Sequence, residues 1–190
     1  IQKNIAVYSR SKTFGLQALS EIWVMDLKNG KKYQYPDNQN HNNIAPAISK
    51  DGQNLYYSSK RKGVYKIYKN TIEGNKEISL YELKGRPDGF SVSPDGEWLA
   101  FSVRESITSI KKNKDNLPVS SSNSRNIFIA RTDGSEVRRL TYSKGMKLEP
   151  SWSPNGKTIT FQSSIHGFLD IYAIDFDGKN ERNLTRTSLR

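Results

Sequence analysis

The sequence predicts an all-β protein, a β-propeller of four repeated antiparallel sheets, and three observations lead to this fold class. A turn signal of the Ser-Pro-Asp-Gly type recurs at 49–52, 93–96 and 153–156, each time followed by alternating apolar and polar residues. An isoleucine followed by an aromatic residue recurs at Ile22, Ile67, Ile127 and Ile171. These isoleucines lie 45, 60 and 44 residues apart, and removing a 16-residue insertion from the third unit leaves a period of 44. Propeller blades have repeats of about this length.

The first half of each unit reads as two strands, A and B, separated by the turn. Strand A is short and precedes the turn, at 45–49, 89–93 and 150–153, and strand B lies at 3–10, 53–60, 97–104 and 157–164. Alignment of the units places Ile5 and Val7 of the first strand B level with Leu55 and Tyr57, with Leu99 and Phe101, and with Ile159 and Phe161. Residues two apart share one face of a strand, so these positions are predicted to face the core.

The second half of each unit reads as strands C and D. Strand C contains the isoleucine–aromatic pair and ends at a glycine turn, where an Asn-Gly or Asp-Gly pair can supply the positive φ angles of a tight hairpin. Strand D follows at 31–35, 76–83, 137–141 and 182–185, so the blades span approximately 1–38, 39–84, 85–142 and 143–187 of one domain. Only four residues precede Ile5, so the first blade lacks its inner strand A. This pattern favours part of a larger ring, and closure of four blades is the alternative.

Two stretches between strands B and C lack the alternating pattern, at 10–20 and at 105–125. The second is the insertion of the third unit and reads ESITSIKKNKDNLPVSSSNSR. Both are predicted to be irregular connections, because polar and serine-rich segments without periodicity do not specify a strand.

Composition excludes several classes of function. The chain has 190 residues and no cysteine, which removes disulfides, thiolate catalysis and cysteine-ligated metals. Its apolar runs are far too short to span a membrane. The net charge of +11 raises the possibility of a polyanion-binding module. Lysine and arginine are spread along the whole sequence, however, so a solvated basic surface is the favoured interpretation and nucleic acid is not an expected partner.

The sequence gives little sign of catalysis. Two histidines, His41 and His166, leave little material for a base network or a metal site. The segment 89–93 lacks the last glycine of a nucleophile elbow, and the segment 175–178 lacks most ligands of a calcium loop. No catalytic residue, metal site or cofactor is therefore predicted, and the repeated tryptophans Trp23, Trp98 and Trp152 are expected to pack between blades.

The most complete repeat text resembles a known family. It reads Pro-Ser-Trp-Ser-Pro-Asn-Gly-Lys-Thr-Ile-Thr-Phe from Pro150, then Asp-Ile-Tyr-Ala-Ile-Asp from Asp170, then Arg-Asn-Leu-Thr from Arg182. This text is similar to the WD40-like PD40 repeat of TolB-like β-propellers, and the resemblance covers essentially the whole chain. It implies a non-enzymatic propeller that presents loops to a protein or peptide, or to a glycan, in the periplasm or outside the cell. Similar repeats occur in the propellers of prolyl-oligopeptidase-type hydrolases, so a gating propeller whose catalytic domain lies elsewhere is the alternative.

Propeller geometry then selects candidate contact residues. The connections from strand D to the next strand A lie at the mouth of the central channel, where ligands commonly dock. The predicted binding residues at these three connections are His41 and Asn43, Arg86 and Asp88, and Lys147 and Glu149.

Overall fold

The computed structural model describes residues 4–14, 17–35, 41–74, 76–83, 85–104 and 125–185, and every regular element in these ranges is a β-strand. No helix in this part of the chain is long and apolar enough to cross a membrane. The first sheet consists of β1 (Ile5–Phe14), β2 (Gln17–Asp26) and β3 (Lys32–Gln34). The second consists of β4 (Asn42–Ile48), β5 (Asn54–Arg61), β6 (Val64–Thr71) and β7 (Ile78–Leu83). The third consists of β8 (Pro87–Val92), β9 (Trp98–Val103), β10 (Asn126–Arg131) and β11 (Val137–Arg139). The fourth consists of β12 (Lys147–Trp152), β13 (Thr158–Ser163), β14 (Asp170–Asp175) and β15 (Arg182–Asn183).

Every sheet is an antiparallel meander whose strands pair in sequence order. Three sheets have four strands, and the first has three within the described residues. The predicted fold class is therefore confirmed, and the first sheet has no inner strand among the described residues. Consecutive sheets pack against each other, but the four sheets do not close, so they form an arc of a propeller rather than a complete ring.

The core lies between neighbouring sheets, in three apolar clusters. Each of the last three sheets presents a stacked pair of aromatic rings towards the sheet before it, with ring centroids about 6 Å apart: Tyr57 and Tyr68, Phe101 and Phe128, and Phe161 and Tyr172. Offset stacking of this kind adds to the free energy gained from burying the rings. The aromatic residues that recur in strands B and C therefore form the same kind of interface between sheets three times.

The predicted alignment of the first strand B was wrong by one residue. Ile22 pairs with Ser9, whereas the equivalent Ile67 pairs with Ser58, so Val7 is equivalent to Tyr56 and not to Tyr57. A shift of one residue turns every side chain to the other face of a sheet. Ile5 and Val7 accordingly pack against the second sheet. The first unit has no Ser-Pro-Asp-Gly turn before strand B, so its register could not be anchored on a turn glycine.

The predicted irregular connection at 10–20 was also wrong, because β1 and β2 form one long hairpin that is paired from Ile5↔Asp26 to Phe14↔Gln17. Polar pairs across the hairpin stabilise it. Lys12 Nζ lies 2.6 Å from Glu21 Oε1, and the hydroxyls of Ser11 and Ser20 are 3.3 Å apart. The other predicted connection, 105–125, lies outside the described residues except for Arg125.

Candidate functional site

The loops of the arc fall into two groups at opposite ends of the strands, because each sheet is a meander. One end, the hairpin face, carries the B–C hairpins and the connections that lead into the inner strands β4, β8 and β12. The other end, the turn face, carries the Ser-Pro-Asp-Gly turns and the glycine turns between strands C and D. All six predicted binding residues lie in, or immediately before, the inner strands near the hairpin face.

The inner strands share one irregularity, a shift in register after their second or third residue. A residue with positive φ sits in each shift: Ala45 at 51°, Gly89 at 62° and Glu149 at 50°. At Gly89 the conformation and the space both favour glycine, since an added Cβ would lie 3.0 Å from Glu149 Cα and 3.1 Å from Pro150 Cδ. The bulges therefore bring β8 and β12 into backbone contact.

In the third sheet, Arg86 and Asp88 are joined to each other and to Arg125. Arg86 Nε lies 3.4 Å from Asp88 Oδ1, and Arg125 Nη1 donates a close hydrogen bond to Asp88 Oδ2. The same Arg125 nitrogen lies 3.5 Å from Ser102 Oγ. Arg86 is exposed, so it remains accessible to a partner, whereas Asp88 is occupied by two guanidinium groups. Sequence reasoning did not select Arg125, because it lies far from Asp88 along the chain.

In the fourth sheet, Lys147 is fully buried and Glu149 is exposed. The ammonium of Lys147 donates hydrogen bonds to the carbonyl oxygens of Ser143 and Lys144, the second at 2.6 Å, and lies 3.5 Å from that of Gly145. Burial lowers the pKa of Lys147 to about 8. This lysine ties down the loop before β12, and its Nζ is not presented at the surface. Its predicted role as a ligand contact has not been tested.

In the second sheet, His41 precedes β4 and is half-buried, and Asn43 is buried opposite Ser59 of β5. Neighbouring Asn42 ties this segment to the first sheet, since its Oδ1 accepts a hydrogen bond from the Ser20 amide at 3.0 Å. His41 therefore lies beside the boundary between the first two sheets. A binding role for either residue remains a prediction.

A cleft of about 610 Å³ opens at this boundary, on the hairpin face. Its described lining residues are Leu19, His41, Asn42, Lys60, Arg61, Lys62, Val64, Lys66, Tyr68 and Glu82. The Arg61 guanidinium is stacked over Tyr68, with Cζ 4.0 Å from the ring centroid, and makes two hydrogen bonds to Glu77 at 2.6 and 2.8 Å. Sequence reasoning missed this cleft, although the run Lys60-Arg61-Lys62 was visible as a local concentration of charge.

The electrostatics of this corner are dominated by Glu77. Burial alone would raise the pKa of its carboxyl, but hydrogen bonds from Arg61 and Tyr57 outweigh burial and lower it. Burial and the hydrogen bond to Glu77 together raise the pKa of the Tyr57 hydroxyl far above its usual value. Glu77 is thus a carboxylate and Tyr57 a neutral donor at neutral pH, and the pair holds Arg61 in place.

A second cavity of about 450 Å³ lies on the turn face, between the turns of the second and third sheets. The residues that contribute to its lining include Lys50, Asp51, Tyr56, Lys69 and Asp95.

Within the described ranges, no group of three or more histidine, aspartate or glutamate residues is arranged to hold a metal ion. Trp98 and Trp152 both pack against Phe176, with ring centroids 5.2 and 5.8 Å away, and all three border the core cluster between the third and fourth sheets.

Known proteins resemble this chain in sequence. No family model matches it. A TolB homolog of Chlorobium luteolum is 28% identical over 150 residues, which cover 65% of this chain and 34% of that protein. Dipeptidyl-peptidase 5 of Porphyromonas endodontalis is 33% identical over 101 residues, which cover 53% of this chain and 13% of the peptidase. The chain spans less than half the length of the curated relatives it matches.

The structural similarity covers more of the chain. A solved TolB-type structure from Agrobacterium tumefaciens superimposes with a TM-score of 0.68 and 26% identity, over 94% of this chain and 60% of that one. Together the relatives support a TolB-like β-propeller family for this chain. The finer assignment to the PD40 repeat stays a prediction.

Proposed function

We propose that this chain is a non-enzymatic binding segment of a TolB-like propeller, which holds a protein partner on its hairpin face. One observation carries the proposal: the three inner strands repeat the same bulge near this face, and two of the bulges place a non-glycine residue at positive φ. Such a conformation costs about 1 kcal/mol or more per residue, and bulges of this kind commonly re-aim side chains beside functional sites. We also propose a periplasmic or extracellular location, from the TolB resemblance alone.

The exposure of the six candidate residues shows which of them can contact a partner directly. Arg86 and Glu149 are exposed and belong to neighbouring inner strands, whereas Asn43 and Lys147 are buried. Direct contact with a partner is therefore expected from Arg86, Glu149 and the half-buried His41. The other three candidates would act indirectly, by fixing the backbone that positions the contact residues; they are Asn43, Asp88 and Lys147.

The test is site-specific photo-crosslinking in the cells that make the protein. A photoreactive residue replaces Arg86 or Glu149 on the hairpin face and, as a control, Lys157 on the turn face. The proposal expects one protein adduct of the same mass from both hairpin-face positions and none from Lys157. An adduct of equal yield from Lys157, or no protein adduct from either hairpin-face position, would refute it.

A second candidate is the gating propeller of a larger peptidase, and the likeness to dipeptidyl-peptidase 5 favours it. Its catalytic residues would lie outside this chain. The full-length gene product would then react covalently with a fluorophosphonate that labels active serines, and its activity would fall with substrates too large to pass the propeller. Absence of labelling in the full-length product would exclude this candidate and leave the binding function.

A further inference from the structure

We propose that the cleft between the first and second sheets binds an acidic peptide segment of the partner that also carries apolar side chains. The inference rests on the proposed protein-binding function and names its site and the chemistry of its partner. Three observations support it: the two faces of the arc differ in charge, basic residues concentrate at the cleft, and its lining mixes apolar with charged groups.

Acidic residues collect on the turn face because the turns require them. The carboxylates of Asp51 and Asp95 each accept a hydrogen bond at 2.9 Å from the amide two residues later. Asp26, Asp133 and Asp177 do the same in the turns between strands C and D, at 2.8, 2.9 and 3.0 Å. Such aspartates stabilise the turn locally and occur once in most repeats. They neutralise nearby lysines and arginines, so the turn face carries little net positive charge.

The hairpin face has no turns that require an aspartate, so fewer carboxylates balance its lysines and arginines. Its B–C hairpins, the connections into the inner strands and the adjoining strand ends carry the basic residues Lys60, Arg61, Lys62, Lys66, Arg86, Arg104, Arg125 and Lys144, against the exposed Glu149. The acidic groups paired with some of them include Glu77, Glu82 and Asp88. The folded chain thus separates its charge by face, although the same residues are spread evenly along the sequence. An uneven surface potential of this kind steers acidic partners to one face.

Within the cleft, the basic groups differ in how they are held. Arg61 is fixed by Glu77 and Tyr68, and Lys66 Nζ lies 3.2 Å from Glu82 Oε2. Lys60 and Lys62 are exposed on the hairpin between β5 and β6. Lys60 Nζ lies 5.5 Å from the centroid of the Tyr65 ring, and neither lysine is in an ion pair with another described residue. A ligand carboxylate can therefore approach both lysines without displacing a carboxylate of the described part of the chain. Lys60 and Lys62 are the groups that would recognise its charge.

The remaining lining favours a peptide over a uniform polyanion. Leu19 and Val64 are partly exposed and offer apolar contact, and the carboxylate of Glu82 would repel an unbroken row of negative charges. A cleft of about 610 Å³ is within the usual range for ligand sites, which combine apolar walls with a few placed polar groups. A short peptide that alternates acidic and apolar side chains matches both features.

The experiment measures the affinity of a fluorescein-labelled peptide that alternates Glu with Leu and Phe, by anisotropy at low and at physiological salt. The cleft variant is Lys60→Glu with Lys62→Glu, and the matched control is Lys28→Glu with Lys31→Glu on the turn face. All four lysines are exposed, so both variants should fold, and both change the net charge equally. We expect the cleft variant to weaken binding about tenfold or more and the control by less than about twofold. The same peptide with Gln in place of Glu should bind far more weakly.

Three results would overturn the inference: equal weakening in both variants, unchanged binding in the cleft variant, or binding of a heparin fragment in preference to the peptide. Equal weakening would indicate general charge attraction, and heparin preference would indicate a polyanion module. If Arg86 and Glu149 crosslink a protein but the cleft variant leaves peptide binding unchanged, the proposed function stands and the cleft inference fails. If the peptide binds in the cleft but no crosslinks form, the proposed function fails and the cleft remains a peptide site.

Discussion

The aromatic pair of the second sheet and its counterpart in the first sheet occupy the same place in the repeat but different environments. Tyr57 and Tyr68 face each other across β5 and β6 and are buried against the first sheet. Tyr8 and Trp23 face each other across β1 and β2, and both are only partly buried. Charged groups of the same sheet lie beside Trp23, with Arg10 Cζ 5.6 Å from its ring and Glu21 Oε2 3.4 Å from Nε1. The position of a residue in the repeat determines the face of the sheet on which its side chain lies. Whether that side chain is buried, and how much it therefore stabilises the fold, depends on whether a neighbouring sheet covers that face.

The largest expected effect comes from removing an aromatic ring at an interface between sheets. Phe101 is fully buried, stacks on Phe128 and meets Phe90 edge to face with centroids 5.7 Å apart. Phe101→Ala should lower the free energy of unfolding by about 3–5 kcal/mol, because it removes a buried ring and leaves a cavity. Urea unfolding followed by tryptophan fluorescence measures this. A loss below about 1 kcal/mol would mean that the sheets do not depend on this packing.

The second prediction concerns Lys147, which is buried at the position of β12 that corresponds to the neutral Asn43 in β4. Burial lowers the pKa of Lys147 to about 8, below its value of about 10.4 in an unfolded chain. Between these values the unfolded state binds more protons, so the free energy of unfolding should rise with pH, by up to about 1.4 kcal/mol per pH unit. Lys147→Met should remove the rise between about pH 8 and 9.5. An identical pH profile in Lys147→Met would show that Lys147 titrates normally.

A third comparison sets Gly89 against Ala45, which hold the same position in two bulges. Gly89→Ala should lower the free energy of unfolding by about 2 kcal/mol, since it adds a Cβ at positive φ and within 3.0 Å of Glu149 Cα. Ala45→Gly should raise it by up to about 1 kcal/mol, because the left-handed conformation no longer strains a side chain. Thermal unfolding of the two variants tests the sign of each change. Two changes of the same sign would contradict the equivalence of the two bulges.

The sequence could predict the fold because each repeat carries local signals that agree with its packing. The turn glycines, the aspartates beside them and the alternating strands specify each meander within about 44 residues. The register of β1 could not be read in the same way, because no turn anchors it and Ile5 and Val7 fit either face. The candidate site was harder still. The Asp88–Arg125 pair and the cleft at Arg61 depend on contacts between segments that are distant in the sequence, and no residue pattern along the chain indicates them. The burial of Lys147 depends on how the loop before β12 folds over its ammonium group, which the sequence does not specify either.

A smaller effect is expected at the edge of the cleft, where Glu77 holds Arg61. The pKa of Glu77 is lowered in the folded state, so its contribution to stability is present above the ordinary glutamate pKa and is lost as pH falls through the folded value. The pair is partly exposed, and solvent screening limits its contribution to about 1 kcal/mol. Glu77→Gln should therefore destabilise the protein by about that amount at pH 7 and by less at pH 3, which lies below the ordinary glutamate pKa. Melting temperatures at the two pH values measure the difference, and an equal loss at both would refute the ionic contribution.

The smallest effect is expected where the comparison began, on the open face of the first sheet. Trp23→Ala should lower the free energy of unfolding by about 1 kcal/mol or less, since the ring loses partly exposed contacts within its own sheet and leaves no closed cavity. Tyr68→Ala, at the equivalent position, should cost several times more because Tyr68 is buried between sheets. Urea unfolding of both variants at several protein concentrations tests the difference. A loss at Trp23 as large as at Tyr68 would contradict the contrast, and dependence of that loss on concentration would indicate that a second molecule covers this face.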